Sequence, residues 1–154
     1  SETPFDRDSH YTIFMKDGNA AAACATLPKE TAARGIPPHW LSFISTPDVD
    51  ASVAAAQKLG GTLLAGPFDV MQYGRMAVIA DPTAAPFALW QAKQHPGVGV
   101  LDEDHALVWT ELCTDDTDKA GAFYGGLFGW TRVPGMALAS VSPISRRYNC
   151  ALAT

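Results

Sequence analysis

The stretch 35–93 constrains the fold of this chain most, because it contains one complete succession of strand and helix signals. An apolar segment, 40–45 (WLSFIS), has the composition of a strand, and Asp48-Val49-Asp50 after it suits a helix N-terminus. Apolar residues then recur at helical spacing until the Gly60-Gly61 pair: Val53, Ala56 and Leu59. Three shorter apolar runs follow, separated by glycine and proline turns: 61–65, 75–80 and 86–93. The stretch therefore predicts the order β-α-β-β-β.

A second, partial copy of this pattern begins at Leu107. When 39–46 (HWLSFIST) is aligned with 108–115 (VWTELCTD), Trp40 falls on Trp109, and both segments run into an aspartate and then a helix. Internal similarity of this kind indicates duplicated structural units. The chain is therefore predicted to contain one whole unit and the first half of another.

The helix of the second copy is predicted to run from Thr117, which can cap its N-terminus, to Gly129. Its apolar residues form a stripe at helical spacing: Ala120, Phe123, Tyr124, Leu127 and Phe128. Three glycines also lie in this helix, each costing about 1 kcal/mol relative to alanine: Gly121, Gly125 and Gly126. We expect these glycines to allow close packing of the helix on the sheet.

The N-terminal segment predicts a β-hairpin. A strand spans 10–16, the turn signal Asp17-Gly18-Asn19 follows, and 20–27 returns as an alanine-rich strand. The alanine content alone would also suit a short helix, but the hairpin turn in front of it favours the strand. Connectors are predicted at 28–38 and 94–105. A further candidate strand spans 136–141.

Several segments together resemble a known superfamily. They are 74–82 (GRMAVIADP), 86–90 (PFALW), 109–112 (WTEL), 122–124 (AFY) and 127–130 (LFGW). The first two are similar to the end of a βαβββ unit, and the others to the start of another, in the glyoxalase/bleomycin-resistance/extradiol-dioxygenase (vicinal oxygen chelate) superfamily. The resemblance covers most of the chain.

The resemblance implies an α+β fold in which paired βαβββ units curl a mixed sheet around a shared cavity. We predict one domain over 1–154, with a complete unit at about 35–93 and a second unit split between about 107–140 and 10–28. A circular permutation, strand exchange in a homodimer, or truncation of a two-domain protein all explain this order. Truncation would leave strand edges exposed, which favours closure. Closure requires the hairpin to join the sheet that contains 107–113.

The metal site that the resemblance implies is not matched by this sequence. Enzymes of the superfamily bind a divalent metal through a His or Glu on the first strand of each unit and a Glu on the last strand. Ala88 stands at the last-strand position, and the first-strand positions hold Trp40 or Leu41 and Val108 or Trp109. We therefore predict no metal cofactor. A set made of His39, His105 and Glu111 is the alternative, although these residues share no known ligand spacing.

Aromatic residues on the predicted strands suggest a ligand site. Aromatic walls with few polar groups suit a flat apolar ligand, although the tryptophans can equally fill a core. The candidate ligand-binding residues are Trp40, Ser42, Tyr73, Arg75, Trp90, Trp109 and Glu111. Glu111 can accept a hydrogen bond from a ligand or act as a base, or it can form an internal ion pair with Arg75. No catalytic residue is assigned.

Composition excludes several classes of partner. The formal net charge of −5 and the pI of about 5.2 argue against nucleic acid, since no basic stripe exists to meet phosphates. No apolar run approaches the ~18 residues of a membrane span. The polar N-terminus does not resemble a signal peptide. The 3 cysteines are an odd number without a C-x-x-C pair, which predicts reduced thiols and a cytoplasmic location.

Three functions are consistent with these features. The first is a small-molecule binding protein of the glyoxalase/bleomycin-resistance type without catalytic metal, whose ligand is aromatic or apolar and neutral or cationic. The second is a metal-dependent lyase, isomerase or dioxygenase of the same superfamily. The third is a non-catalytic interaction module whose cavity is filled core. The missing last-strand Glu favours the first over the second.

Overall fold

The computed structural model describes residues 10–133 together with the backbone of 149–152. In chain order its elements are β1 (Tyr11–Lys16), β2 (Asn19–Ala25), α1 (Lys29–Ala33), β3 (Phe43–Ser45), α2 (Val49–Lys58), β4 (Thr62–Val70), β5 (Gly74–Ala80), β6 (Pro86–Ala92), β7 (Glu111–Thr114), α3 (Thr117–Phe128) and β8 (Asn149–Leu152). The fold of the described residues is α+β. The candidate strand at 136–141 lies outside them.

The central sheet has the strand order β3-β6-β5-β4. Strand β3 runs parallel to β6, with Phe43 opposite Ala88 and Ser45 opposite Trp90, while β6, β5 and β4 are antiparallel to their neighbours. Helix α2 connects β3 to β4. The β-α-β-β-β order predicted for 35–93 is thus confirmed.

Strand β3 is shorter than the predicted 40–45. Its ladder with β6 begins where the Ser42 carbonyl accepts the N–H of Ala88 at 2.8 Å. In this register Leu41 would stand opposite Pro86, which has no N–H to donate. Trp40 therefore lies ahead of the strand, and its side chain is 82% exposed.

Helices α2 and α3 both pack on one face of the central sheet. The hydrophobic core between them and the sheet consists of Val49, Val53, Ala56, Ala77, Ile79, Phe87, Leu89 and Phe123. Burying each of the valine, leucine, isoleucine and phenylalanine side chains in this set contributes about 1.5–3 kcal/mol. The predicted stripe of the second helix is therefore a core-facing stripe, with Phe123 fully inside and Tyr124, Leu127 and Phe128 packed against the core.

The two strand–helix pairs share one cap geometry. Asp48 begins α2 and Asp116 begins α3, each accepting the backbone N–H three residues later, at 3.0 and 2.9 Å. The hydroxyls of Thr46 and Thr114, both buried, accept the N–H of these aspartates at 3.4 and 3.2 Å. The internal repeat is therefore present in the structure, with Thr46 equivalent to Thr114.

The register of the repeat differs by one residue from the predicted alignment. The cap geometry places Phe43 on Glu111, so that Trp40 corresponds to Val108 rather than to Trp109. Aligning Trp40 with Trp109 gives the wrong register because Trp40 precedes its strand. The prediction of Thr117 as the cap of α3 is also wrong by one residue, since Asp116 fills that role.

The N-terminal hairpin forms as predicted, including its alanine-rich strand. Strands β1 and β2 pair antiparallel, from Tyr11 opposite Ala25 to Lys16 opposite Asn19. The hairpin contacts the connector 94–105, where the Gly99 N–H donates to the Ala20 carbonyl at 2.7 Å and Lys16 pairs with a glutamate.

The hairpin does not join the sheet that contains β7, so this prediction is wrong for the single chain. The hairpin is a two-stranded sheet of its own, and β7 pairs with β8. Leu107 bridges to Leu101 in the connector, and β7 begins only at Glu111, so 107–110 are not part of this strand. Closure within one chain is therefore not formed, and strand exchange in a homodimer stays a prediction.

The glycines of α3 allow close contacts, but not with the sheet as predicted. A Cβ at Gly126 would lie 3.0 Å from Leu59 at the end of α2. A Cβ at Gly125 would lie 3.1 Å from the Trp130 carbonyl, and one at Gly121 would meet Arg132. Their neighbours are thus α2 and the segment that follows α3. Among the described helices, none is long and apolar enough to cross a membrane.

Candidate ligand-binding face

The face of the central sheet opposite the two long helices is apolar and partly open. Because strand side chains alternate, the core positions Ala77 and Ile79 leave Met76 and Val78 on this opposite face. Cross-strand partners share a face, and Met76 is paired with Trp90. The ring of Phe43 contacts Trp90 edge-on at 6.3 Å between centroids. We call this set, Phe43, Met76, Val78 and Trp90, the open face.

Trp90 is the fixed centre of the open face. Its indole N–H donates to the His95 carbonyl at 2.9 Å, and its ring meets the His95 ring edge-on. The ring lies over Gly74, where an added Cβ would come within 2.6 Å of Cη2. The side chain is only 8% exposed. Trp90 therefore supports the face and presents little of its own surface.

Phe43 is the exposed aromatic ring of the open face, and it is not among the predicted ligand-binding residues. It is 53% exposed, whereas its neighbour Ile44 packs against the core. The alternation of Phe43 with Ile44 was the available signal. This signal is weak, since a half-exposed phenylalanine looks like a core residue in a sequence.

Arg75 lies on the opposite face of the sheet from Trp90. Its guanidinium donates to both carboxylate oxygens of Asp50 at 2.7 and 2.9 Å and contacts Asp69 at 3.4 Å. The Arg75 guanidinium holds the pKa of Asp50 below its usual range, and Lys93 and Arg75 do the same for Asp69. The main partner of Arg75 is therefore Asp50 on α2. The alternative prediction of an ion pair between Arg75 and Glu111 is wrong.

Three other predicted residues border the open face or lie apart from it. Ser42 is half-buried at the start of the β3 ladder. Tyr73 is 41% exposed, and its carbonyl accepts the N–H groups of Lys93 and His95, both at 3.0 Å, which fixes the segment that binds the Trp90 indole. Trp40 is largely in solvent ahead of β3.

Trp109 and Glu111 lie on the segment that leads into α3. Trp109 is 46% exposed and precedes β7, while Glu111 is the exposed first residue of β7, opposite Leu152. In the corrected repeat, Glu111 is equivalent to Phe43. Leu112 is half-buried and Glu111 is exposed, which repeats the alternation of Ile44 and Phe43, although β7 pairs with β8 and not with the central sheet.

The positions that the resemblance assigns to metal ligands hold apolar or indole side chains. Ala88 is buried beside Trp90, and the corrected repeat pairs Trp40 with Val108 and Leu41 with Trp109. Within the part of the chain that the structure describes, no group of three or more His, Cys, Asp and Glu side chains could hold a metal ion. His39, His105 and Glu111 do not form such a group.

Comparison with known proteins identifies relatives over most of the chain, although no protein-family model matches it. A protein of Mycobacterium tuberculosis named "Putative glyoxylase CFP32" is 41% identical over 121 residues, which are 79% of this chain and 46% of the relative. "Anthracycline biosynthesis protein DnrV" of Streptomyces peucetius is 34% identical over 129 residues, covering 77% and 47%.

The chain is a homologue of glyoxalase-superfamily proteins. The resemblance drawn from its strand and helix motifs is thereby confirmed. A similar match, 35% identical over 129 residues, is to "Anthracycline biosynthesis protein DauV" of a Streptomyces species. This glyoxalase-like chain spans about half the length of each relative, 46–47%.

Proposed function

We propose that this glyoxalase-like chain binds a small, flat aromatic molecule on the open face and needs no metal to do so. The observation that carries the proposal is the exposed Phe43 ring held edge-on against the fixed Trp90 indole. The Phe43 ring supplies the exposed aromatic contact, and the buried Trp90 indole holds it in place, so a planar ligand would bind with little loss of side-chain freedom. We consider the metal-dependent alternative less favoured, since Ala88, Leu41 and Trp109, at positions that the resemblance assigns to metal ligands, offer no suitable ligand atom.

The relatives suggest a chemical class for the ligand. Two of them are named for anthracycline biosynthesis. Anthracyclines are flat polycyclic aromatic compounds, and daunorubicin also carries an amino sugar that is cationic at neutral pH. These properties match the aromatic, neutral or cationic ligand expected from the sequence. We therefore propose an anthracycline-like molecule as the ligand.

The first test is calorimetric titration of the protein with daunorubicin. Phe43→Ala removes the exposed ring and is expected to raise the dissociation constant about tenfold, because an aromatic contact contributes about 1 kcal/mol beyond its buried area. Phe14→Ala is the matched control, since Phe14 is 49% exposed on the hairpin, against 53% for Phe43. Equal loss of binding in both variants, or no saturable binding by the unaltered protein, would contradict the proposal.

The second test concerns charge. We propose that Glu111 contacts the cationic group of the ligand. In the repeat, Glu111 occupies the position that Phe43 occupies in the complete unit. Glu111→Gln keeps the shape of the side chain and is expected to weaken daunorubicin binding several-fold, as expected for a partly exposed ion pair. Binding of the aglycone, which lacks the amino sugar, should not change. An equal effect on both compounds would show that Glu111 acts through something other than charge.

A further inference from the structure

The turn between β5 and β6 contains a buried carboxylate with partners from two parts of the chain. Asp81 is 3% exposed. Its Oδ1 accepts from the N–H and hydroxyl of Thr83, at 2.7 and 2.8 Å, and from the N–H of Ala85 at 3.0 Å. Its Oδ2 accepts the hydroxyl of Tyr124, on α3, at 3.0 Å. One oxygen thus holds its own turn, and the other holds a helix that lies 43 residues away in the sequence.

Tyr124 is held within an aromatic cluster. Its ring stacks on those of Phe128 and Trp130, with centroids at 6.3 and 5.8 Å, and it also contacts Phe87 of β6 at 5.6 Å. Burial, with a smaller contribution from the Asp81 carboxylate, raises the pKa of the Tyr124 phenol well above its usual range. The phenol therefore stays protonated and donates to Asp81 at every physiological pH.

Helix α3 contacts the end of α2 closely at two glycines. A Cβ at Gly61 would lie 3.0 Å from the Phe123 ring, and one at Gly126 would lie 3.0 Å from Leu59. The packing is tight at these two points, while a cavity of about 390 Å³ lies beside them, lined by Leu59, Gly60, Pro82, Lys119, Ala122 and Phe123. The hydrogen bond of Tyr124 to Asp81 adds direction to this apolar contact, because it requires a fixed rotation of α3 about its axis.

The position of α3 in turn decides where β7 lies. Only Asp115 and Asp116 separate β7 from α3, and the Asp116 N–H is bound to the hydroxyl of Thr114, the buried last residue of β7. We propose that Asp81 and Tyr124 are positioning residues, which fix β7 and hence Glu111 relative to the open face. The Glu111 part of this inference rests on the proposed function, and the fixing of α3 and β7 does not.

The test begins with Tyr124→Phe, which removes one hydroxyl and keeps the ring. Hydrogen exchange of the intact chain, followed by mass spectrometry, should become about tenfold faster in 111–128, because local opening loses one hydrogen bond to a carboxylate. Exchange in β4, 62–70, should stay unchanged. Tyr11→Phe on the hairpin is the matched control and should alter neither region. Exchange that becomes faster throughout the chain, or that does not become faster in 111–128, would overturn the positioning role.

Ligand binding provides the second arm. Tyr124→Phe should weaken daunorubicin binding about as much as Glu111→Gln, and the double variant should be no weaker than Glu111→Gln alone, because both changes remove the same contact. Additive losses would overturn the link to Glu111. If the unaltered protein binds no daunorubicin, the proposed function and the Glu111 link fail together, while the exchange comparison still decides whether Tyr124 fixes α3 and β7.

Discussion

Close contact between Gly74 and Trp90 determines the shape of the open face at the level of single residues. The indole needs a neighbour without a side chain in order to lie flat on β5, and its N–H needs the His95 carbonyl. A half-exposed Phe43 then completes the surface. The contacts of Trp90 with Gly74 and Phe43 could not be predicted from the sequence, because they depend on the register of β5 against β6 and of β6 against β3.

The contact at Gly74 can be tested by substitution. Gly74→Ala should destabilise the protein by about 1–3 kcal/mol, since the new methyl group would lie within 2.6 Å of Trp90 Cη2 and 2.7 Å of Cε2. Urea unfolding measures this cost. In a Trp90→Phe background the same substitution should cost much less, because the smaller ring leaves room. An undiminished cost would show that the destabilisation comes from the backbone of Gly74 rather than from the indole.

At the level of elements, the sequence predicts those strands and helices that have a clear hydrophobic periodicity of their own. The complete unit was predicted because its strands and α2 each have their own pattern and turns. The repeat was placed one residue out of register because a shared tryptophan was aligned. The motif Thr46-x-Asp48, repeated as Thr114-x-Asp116, would have given the correct register, since capping depends on exact spacing. Which strand pairs with the hairpin and which with β7 depends on long-range contacts, and periodicity does not encode such contacts.

The ion pair between α2 and β5 predicts a pH dependence of stability. The hydrogen bonds from Arg75 hold the folded-state pKa of Asp50 below the ordinary value of an aspartate. A group with a lowered folded-state pKa contributes stability above its unfolded-state pKa and loses it as the pH falls through the folded-state value. The protein should therefore lose part of its stability below about pH 4.

Thermal unfolding at a series of pH values measures this effect. Asp50→Asn should lower the melting temperature at pH 7 and flatten the acid slope below pH 4, because the Asn amide has no charge to lose. Asp104→Asn, in the exposed connector, is the control and should leave the curve unchanged. An acid slope that survives Asp50→Asn in full would assign the pH dependence to other carboxylates.

At the level of the whole molecule, one face of the central sheet is covered by α2 and α3, and the other carries the aromatic floor. The second strand–helix pair does not complete a separate sheet with the hairpin. Instead α3 packs on the same side as α2, and Asp81 and Tyr124 hold it there. The molecule therefore combines one complete βαβββ unit, whose open face is proposed to bind a ligand, with a docked β7–α3 segment that carries the acidic residue Glu111.

Methyl NMR of methionine measures occupation of the open face most directly. Met76 is half-buried beside Trp90 on that face, and Met15 is 60% exposed on the hairpin, so the two methyl groups report on the site and on a control surface. With ¹³C-methyl methionine, daunorubicin should shift the Met76 signal saturably and leave Met15 in place, and Phe43→Ala should move the Met76 titration to higher concentration. A saturable shift at Met15 with none at Met76 would contradict binding at the open face.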